Sequence, residues 1–139
     1  MAGVNFGTQD WVDELVTKAN SSDAYKKAGK NWEGDLKIII LAEEGLTDKD
    51  IIYYLDPHHG EIRSASLLET VDEKETAFTL TGPYSVWKEI TSGKTDSMKA
   101  IMKGQLKVKG SMAKLMRQVK ASQVMMKIMT SIETIYSDE

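Results

Sequence analysis

The sequence of 139 residues contains no cysteine, only two prolines and only two histidines. The absence of cysteine excludes disulfide frameworks, thiol catalysis and cysteine-ligated metal sites. No run approaches the roughly 18 apolar residues that a membrane-spanning helix needs, and the first residues lack the charged and apolar blocks of a signal peptide. We therefore expect a single cytoplasmic domain over residues 1–139 that buries a core without disulfides or structural metal.

Residues 97–132 lack both acidic and aromatic residues. They carry eight Lys/Arg, whereas residues 1–96 carry ten Lys/Arg against eighteen Asp/Glu. A nucleic-acid surface combines basic residues with exposed aromatics or a recognition helix, so we expect no nucleic-acid partner. Lysines and arginines that flank an apolar opening suit transient contact with an anionic membrane surface. A solvated basic face is the alternative.

Residues that could perform catalysis or hold a metal are scarce. His58 and His59 are neighbours in a predicted turn at residues 56–60, and adjacent positions of an extended segment point to opposite sides, so we expect no metal pair there. The acidic cluster at residues 43–50 lacks the pattern of a calcium loop. The sequence shows neither a phosphate-binding glycine loop nor a nucleophile elbow. We expect no enzyme activity, catalytic residues, metal or cofactor.

Periodicity and turn residues predict the element order α-α-β-β-β-β-α-α-β-α. Strands are predicted, from β-branched or alternating segments, over residues 32–43, 50–56, 61–68, 75–81 and 105–109. Helices are predicted to begin near Thr8, Ser22, Pro83, Asp96 and Ser111. The last helical run changes register at residues 120–123, where we expect a kink or a break. This order predicts an α+β fold, with a five-stranded, mainly antiparallel sheet covered by helices.

Seven of the eight methionines lie within 32 residues, from Met98 to Met129. Methionine is flexible and polarizable, so a wall built from it adapts to ligands of varied shape. The alternative is that these methionines are simply the core side of three helices. Leucine and isoleucine would specify such a core more sharply. The cluster is therefore compatible with either an adaptable apolar site or an ordinary core.

Residues 102–115 resemble the strand-to-helix signature of the sterol carrier protein 2 domain family. In that family a helix ends in glycine, as at Gly104, and a lysine-rich alternating strand follows, as in Gln-Leu-Lys-Val-Lys. Glycine and a small polar residue then open a helix with regularly spaced apolar residues, as at Gly110 and Ser111. The segment from Gly82 onward, with two helices before that strand, is also similar to the family's arrangement.

Two features depart from the family pattern. Ser111 stands where Asn or Asp is common, although serine also caps helices. The C-terminal helical run is longer and richer in methionine than the family pattern, and the sequence does not end in the peroxisomal signal Ser-Lys-Leu. Peroxisomal import through that signal is therefore not expected, and sterol is not assumed as the ligand.

The resemblance implies an apolar tunnel that binds or carries fatty acyl chains or sterol-like molecules without catalysis. It makes the C-terminal helix, about residues 121–136, a candidate lid. Lys103, Lys107, Lys109 and Lys114 are expected near a lipid head group or a membrane. The predicted lipid-binding residues are Trp87, Ile90, Ile101, Met102, Leu106, Met112, Leu115, Met116, Val119, Met125, Ile128 and Met129.

Two other functions fit the same sequence features. The methionine-rich C-terminal helices could bury their apolar face against a partner protein or a second copy, which would make the chain an interaction module or a homodimer. An accessory domain that presents an apolar substrate to a separate enzyme would share the predicted fold. Co-purified lipid would favour carriage, whereas a lipid-free dimer would favour the interaction module.

Overall fold

The computed structural model describes residues 3–138, and within them the chain forms six α-helices and seven β-strands. The helices are α1 (Gln9–Asn20), α2 (Asp23–Ala28), α3 (Tyr84–Thr91), α4 (Ser97–Met102), α5 (Met112–Arg117) and α6 (Val119–Thr130). The strands are β1 (Val4–Asn5), β2 (Leu36–Leu41), β3 (Ile51–His58), β4 (Glu61–Leu68), β5 (Phe78–Pro83), β6 (Lys107–Lys109) and β7 (Thr134–Ile135). A 3₁₀ turn, Val71–Glu73, follows β4.

Four helices begin at polar residues that the sequence identifies as caps. The side chains of Thr8, Ser22, Asp96 and Ser111 each accept a hydrogen bond from a backbone N–H in the first turn of α1, α2, α4 and α5. Such bonds satisfy donors that have no partner inside the helix. Helix α3 begins differently, because Pro83 offers no cap and the Glu43 carboxylate accepts from the Ser85 N–H at 2.9 Å.

The main sheet has five strands in the order β4-β3-β2-β5-β6. Three of its pairings are antiparallel, and the central pairing of β2 with β5 is parallel. The predicted α+β class and five-stranded, mainly antiparallel sheet are therefore confirmed. The parallel pairing arises because the chain between β4 and β5 crosses over and places β5 beside β2 rather than beside β4.

The helices pack on the sheet around a core that is rich in aromatic rings. Phe6 makes edge contacts with Trp11 and Tyr84, with ring centroids 5.0 and 5.5 Å apart. Trp11 stacks on Tyr53 of β3 at 5.8 Å. These rings bury large apolar areas and favour such edge and offset geometries. They fix α1 and the terminal segments against one end of the sheet.

Strand boundaries differ from the predicted ones by a few residues. The predicted turn at residues 56–60 is shorter in the structure, because β3 continues through His58 and only His59 and Gly60 connect it to β4. Proline is tolerated there because the register shifts between Leu55 and Pro57, and a missing N–H is acceptable at such an irregularity.

The C-terminal third also differs from its predicted outline. The break between helices lies at Gln118, just before the predicted residues 120–123. Helix α6 ends at Thr130, so the predicted helix over about 121–136 is too long. Near the end of that predicted range, Thr134–Ile135 instead form β7, which pairs with β1 in a two-stranded parallel sheet. Two-residue strands carry no alternation, which is why the sequence gives no signal for them.

Candidate functional site

An apolar cavity of about 110 Å³ lies between the sheet and the helices. Its wall combines the inner face of β2 to β5 with side chains from five of the helices. The lining residues are Tyr25, Trp32, Leu36, Ile38, Leu55, Pro57, Ile62, Leu80, Trp87, Ile90, Ser97, Met98, Ile101, Leu115, Gln118, Ala121, Ser122, Met125, Met126 and Met129. None of them is a carboxylate, a lysine or a histidine.

The sheet side of the wall follows from strand alternation. Leu36 and Ile38 are two residues apart on β2 and therefore point to the same face. Leu36 is the register partner of Leu55 on β3, and Ile38 is the register partner of Leu80 on β5. All four side chains line the cavity. The central strands thus supply a continuous apolar floor.

Two tryptophans line the cavity with their polar groups already satisfied. The Trp87 indole N–H donates to the Ile39 carbonyl at 3.2 Å, and the Trp32 indole N–H donates to the Gly34 carbonyl at 2.9 Å. A buried indole N–H normally needs such a partner. Because the backbone provides it, neither ring needs a hydrogen bond from a bound molecule.

Methionines form much of the helical side of the wall. Met98, Met125, Met126 and Met129 line the cavity from α4 and α6. The two helices are joined at their edge, where the Ser97 N–H donates to the Met126 sulfur at 3.2 Å and the Ser97 and Ser122 hydroxyl oxygens lie 3.1 Å apart. Unbranched thioether side chains can change rotamer without moving the backbone, so this side of the wall is adaptable.

The structure places the twelve predicted lipid-binding residues in two groups. Six line the cavity: Trp87, Ile90, Ile101, Leu115, Met125 and Met129. The other six, which are not among the lining residues, are Met102, Leu106, Met112, Met116, Val119 and Ile128. The first group therefore faces this cavity and the second does not, and a lipid-binding role for all twelve residues stays a prediction.

The six residues outside the wall have different environments. Leu106 and Ile128 are buried in the core, and Val119 is half-buried. Met102, Met112 and Met116 are exposed, with relative accessibilities of 77%, 41% and 51%. Met102 is the last residue of α4, beyond the part of that helix that packs inward through Met98 and Ala100. Helical spacing alone cannot identify the buried face of so short a helix.

Several lining residues were not among the predicted ones. They include Tyr25 and Trp32 before the sheet, and the strand residues Leu36, Leu55 and Ile62. Burial raises the pKa of the Tyr25 hydroxyl to about 12, so this group stays neutral at ordinary pH. The apolar residues of β2, β3 and β4 are the only sequence signal for these strand residues, and any core strand gives the same signal.

Helix α5 lies beside the cavity and is the least anchored helix. It contains no buried residue, and its one contribution to the wall is Leu115. The four lysines predicted near a head group, Lys103, Lys107, Lys109 and Lys114, are all exposed. Methionines 102, 112 and 116, in the same stretch of the sequence, are exposed too. In residues 3–138 no helix combines the length and apolar character needed to cross a membrane.

The two histidines do not point to opposite sides, contrary to the prediction. Their rings stack with centroids 4.0 Å apart and an interplanar angle of 11°. His59 has a φ of 51°, so the strand alternation on which the prediction relied does not apply to it. Its Nε2 lies 2.6 Å from Oε2 of Glu33. This hydrogen bond and the charges of His59, His58 and Lys114 lower the pKa of the Glu33 carboxyl.

Comparison with known proteins identifies a family. The model of the SCP-2 sterol transfer family matches residues 12–122, which extend from α1 into α6. The curated proteins include no match to this chain.

Solved structures with the same fold include sterol carrier proteins. A crystal structure of sterol carrier protein 2 is 28% identical, with a TM-score of 0.80, and the match covers 91% of this chain and 98% of that one. A solution structure of a conserved hypothetical protein from Thermus thermophilus, described as possibly a sterol carrier protein, is 28% identical with a TM-score of 0.86, covering 100% and 97%. The apo form of sterol carrier protein 2 from Yarrowia lipolytica is 16% identical, with a TM-score of 0.59 over 86% and 88%.

Proposed function

Because the chain belongs to the SCP-2 sterol transfer family, we propose that it binds the acyl chain of a lipid in the cavity and carries it without catalysis. The observation that supports this most directly is the cavity itself, which is lined almost entirely by apolar side chains. Burying an acyl chain contributes about 0.8 kcal/mol per CH₂. A dry apolar channel therefore provides affinity without specific polar contacts.

The size of the cavity defines what it can hold without rearrangement. Its volume of about 110 Å³ is close to that of the engineered cavity of about 150 Å³ that stays dry and binds benzene. A short apolar segment fits this space, and a longer acyl chain requires the wall to open. The methionines of α6 are suited to this change, because their side chains are flexible and fill irregular gaps.

Helix α5 is the part of the wall that we assign as the lid. Helix α6 buries Ala121, Ile128 and Met129 and contacts α1, α2, α3 and α4, so moving it would expose core residues. Helix α5 buries none of its residues, and Gln118 separates it from α6. Displacing α5 removes Leu115 from the wall at little cost in buried area. This proposal differs from the lid predicted from the sequence, about residues 121–136, because it moves the lid to the preceding helix, residues 112–117.

The composition of the wall supports carriage rather than chemistry. General acid–base catalysis needs a titratable group within hydrogen-bond reach of the bound molecule. The lining includes no carboxylate, lysine or histidine, and the raised pKa of Tyr25 keeps its hydroxyl protonated at neutral pH, so that it cannot accept a proton there as a phenolate. An accessory domain that presents an apolar substrate to another enzyme would use the same cavity.

We also propose that the surface around α5 contacts anionic membranes during loading. Exposed Met112 and Met116 alternate on α5 with Lys114 and Arg117, which are exposed too. Apolar side chains can enter the head-group region while the basic groups interact with anionic lipids. Because α5 is the proposed lid, contact there would bring the bilayer next to the opening. The same surface is where a partner protein or a second copy would bind.

Matched aspartate variants test the cavity assignment. Met125→Asp introduces a carboxylate into the wall and should weaken binding of a fluorescent fatty acid by at least about tenfold, because an ionised group is costly in an apolar site. Met102→Asp makes the same change at an exposed position outside the wall and should leave binding unchanged. Circular dichroism of both variants confirms folding. If a folded Met125→Asp variant binds the fatty acid as tightly as the wild type, the cavity assignment is wrong. A parallel titration with a fluorescent sterol identifies the ligand class.

Vesicle binding and native mass spectrometry distinguish membrane contact from a role as an interaction module. The protein should bind vesicles that contain phosphatidylglycerol more strongly than neutral vesicles, and added salt should weaken this binding. The double variant Lys114→Glu/Arg117→Glu reverses two charges on α5. It should abolish vesicle binding without affecting fatty-acid binding. A lipid-free dimer by native mass spectrometry, which dissociates when Met116→Asp is introduced, would favour the interaction module instead.

A further inference from the structure

Two chain segments meet at the tip of the hairpin between β3 and β4. The His59 N–H donates to the Trp32 carbonyl at 2.9 Å. Glu33 and His58 form an isolated antiparallel bridge. These backbone contacts bring the side chains of Glu33, His58 and His59 together, although 25 positions separate the acid from the first histidine in the sequence. The backbone therefore holds the cluster in place from both sides.

The hairpin turn gives the histidines an unusual arrangement. His59 and Gly60 have φ values of 51° and 83°, and a type I′ turn requires positive φ at both of its central residues. Asparagine, aspartate or glycine usually occupies the first of these positions. His59 is the only residue other than glycine with positive φ among residues 3–138. This conformation places its ring over that of His58 instead of on the opposite side of the strand.

We propose that Glu33, His58 and His59 form a binding site for one divalent transition-metal ion of the Zn²⁺ class. Each residue offers one ligand atom, and the three atoms lie within 4.8 Å of one another. Two imidazole nitrogens and one carboxylate oxygen form a donor set that binds Zn²⁺, Ni²⁺ or Co²⁺ in preference to Mg²⁺ or Ca²⁺, which favour oxygen ligands.

Metal binding requires the histidine side chains to rotate, because the stacked rings of His58 and His59, at an interplanar angle of 11°, cannot both direct an in-plane nitrogen lone pair at one ion. Metal–ligand bonds of about 2.1 Å imply ligand–ligand separations of about 3.0–3.4 Å in octahedral or tetrahedral geometry. The present pair, His59 Nε2 and Glu33 Oε2, lies 2.6 Å apart and must separate slightly. The side chains of His59 and Glu33 are 52% and 64% exposed, so both can rotate. Three protein ligands leave positions for water on the solvent side.

The site adjoins the cavity but does not depend on the proposed lipid-binding function. Trp32 and Pro57, which line the cavity, are the immediate neighbours of Glu33 and His58. A bound ion would cross-link the two segments that carry these wall residues. Loss of lipid binding in a cavity variant leaves the three ligands intact, so the metal site and the lipid site can fail separately.

Titration of untagged protein with ZnCl₂ tests the site directly. The chain contains only two histidines, so ¹⁵N-edited spectra of the imidazole rings report on both ligands without overlap. We expect calorimetry to show one saturable site and both rings to shift together until one equivalent is added. Co²⁺ should bind the same site and give a visible absorption spectrum. Shifts of a single ring, or several weak sites without saturation, would overturn the proposal.

Ligand variants and a matched control define the donor set. Glu33→Gln and His59→Asn should each weaken Zn²⁺ binding by at least about tenfold, the effect expected even for groups that only support metal ligands. Asparagine tolerates positive φ, so the hairpin should persist in His59→Asn. Glu61→Gln removes the same charge from an exposed position opposite His58 and should leave binding unchanged. If Glu61→Gln and Glu33→Gln weaken binding equally, the attraction is general electrostatics and the site is rejected.

Discussion

The hydroxyl oxygens of Thr91 and Tyr136 lie 2.7 Å apart in the core, although 45 positions separate them in the sequence. The Thr91 hydroxyl donates to the Trp87 carbonyl at 2.9 Å, so the Tyr136 hydroxyl is the donor in the contact between them. Trp87 and Ile90 of the same helix line the cavity. The segment after β7 therefore supports the α3 side of the wall from behind.

Replacing Tyr136 with phenylalanine should lower the free energy of unfolding by about 1 kcal/mol, the net value of one internal hydrogen bond. The loss is moderate because the Thr91 hydroxyl keeps its bond to Trp87. Urea denaturation measures the change. Ser137→Ala, at the next and exposed position, should change the value by less than about 0.5 kcal/mol. Equal losses in the two variants would contradict this role for Tyr136.

Gly45 and Gly60 have the same φ of 83°. Their alanine variants therefore separate the free-energy cost of backbone strain from that of a steric clash. Gly45→Ala places a Cβ in open space, so it should cost only the left-handed backbone strain of about 1–2 kcal/mol. At Gly60 a Cβ would lie 2.5 Å from the Lys26 carbonyl oxygen of α2. Gly60→Ala should therefore cost a further 1–3 kcal/mol or so, roughly as overpacking does. Thermal and urea denaturation of both variants measure the difference, and equal costs would exclude the clash.

Tyr25 should make the protein sensitive to alkaline pH. Its pKa is about 12 in the folded chain because of burial, against about 10 when unfolded. Between these values the unfolded chain has lost a proton that the folded chain retains, so the free energy of unfolding falls by about 1.4 kcal/mol per pH unit. Stability from this group is complete below about pH 10 and is lost as the pH rises toward about 12.

With Tyr25→Phe, the free energy of unfolding should fall less steeply between about pH 10 and pH 12, because one group that loses a proton on unfolding has been removed. Some loss should persist, because burial also raises the pKa of Tyr53. Urea denaturation at a series of alkaline pH values gives the two slopes. Identical slopes for the wild type and the variant would mean that Tyr25 ionises in the folded state as easily as in the unfolded one. Fatty-acid binding at neutral pH should not change, since the hydroxyl is neutral there.

Removing the Ser111 cap should loosen the proposed lid. The Ser111 hydroxyl accepts from the Lys114 N–H at 3.3 Å, and loss of such a cap costs about 1 kcal/mol of helix stability. Because α5 buries no residue, Ser111→Ala should speed fatty-acid release in stopped-flow measurements with little effect on global unfolding. Ser22→Ala removes the equivalent cap from α2 and should lower global stability without faster release. Unchanged release in Ser111→Ala would contradict a lid formed by α5.

The helix starts are well predicted from the sequence because the interactions that define them are local. Thr8, Ser22 and Ser111 each bind a backbone N–H only three residues ahead, so residue type and short spacing are sufficient. The number of strands in the main sheet also follows from short-range patterns. Strand ends are less predictable, because they depend on distant groups. The β6 strand is shortened at its start, for example, where the Gln105 and Leu106 N–H groups donate to the Ala100 carbonyl.

The cavity is harder to predict, because core residues and cavity residues share the same patterns. Met102 and Met125 are chemically identical, yet one is 77% exposed and the other lines the wall. The difference depends on where a short helix ends and how it packs. The histidine cluster could not be predicted at all from periodicity. It requires the positive φ of His59 and the approach of Glu33 from another segment, and neither is visible in the order of residues.

The pairing of β1 with β7 has a mechanical consequence. The strands are parallel, with Val4 opposite Thr134, and are joined by the Val4 N–H to the Glu133 carbonyl at 2.7 Å and the Phe6 N–H to the Ile135 carbonyl at 3.0 Å. A pull on the chain from its two ends would draw the strands along each other in opposite directions. Both hydrogen bonds would then bear the load together, in shear, rather than one after the other. This small strand pair is therefore a clamp that protects the helices and sheet from force applied at the termini.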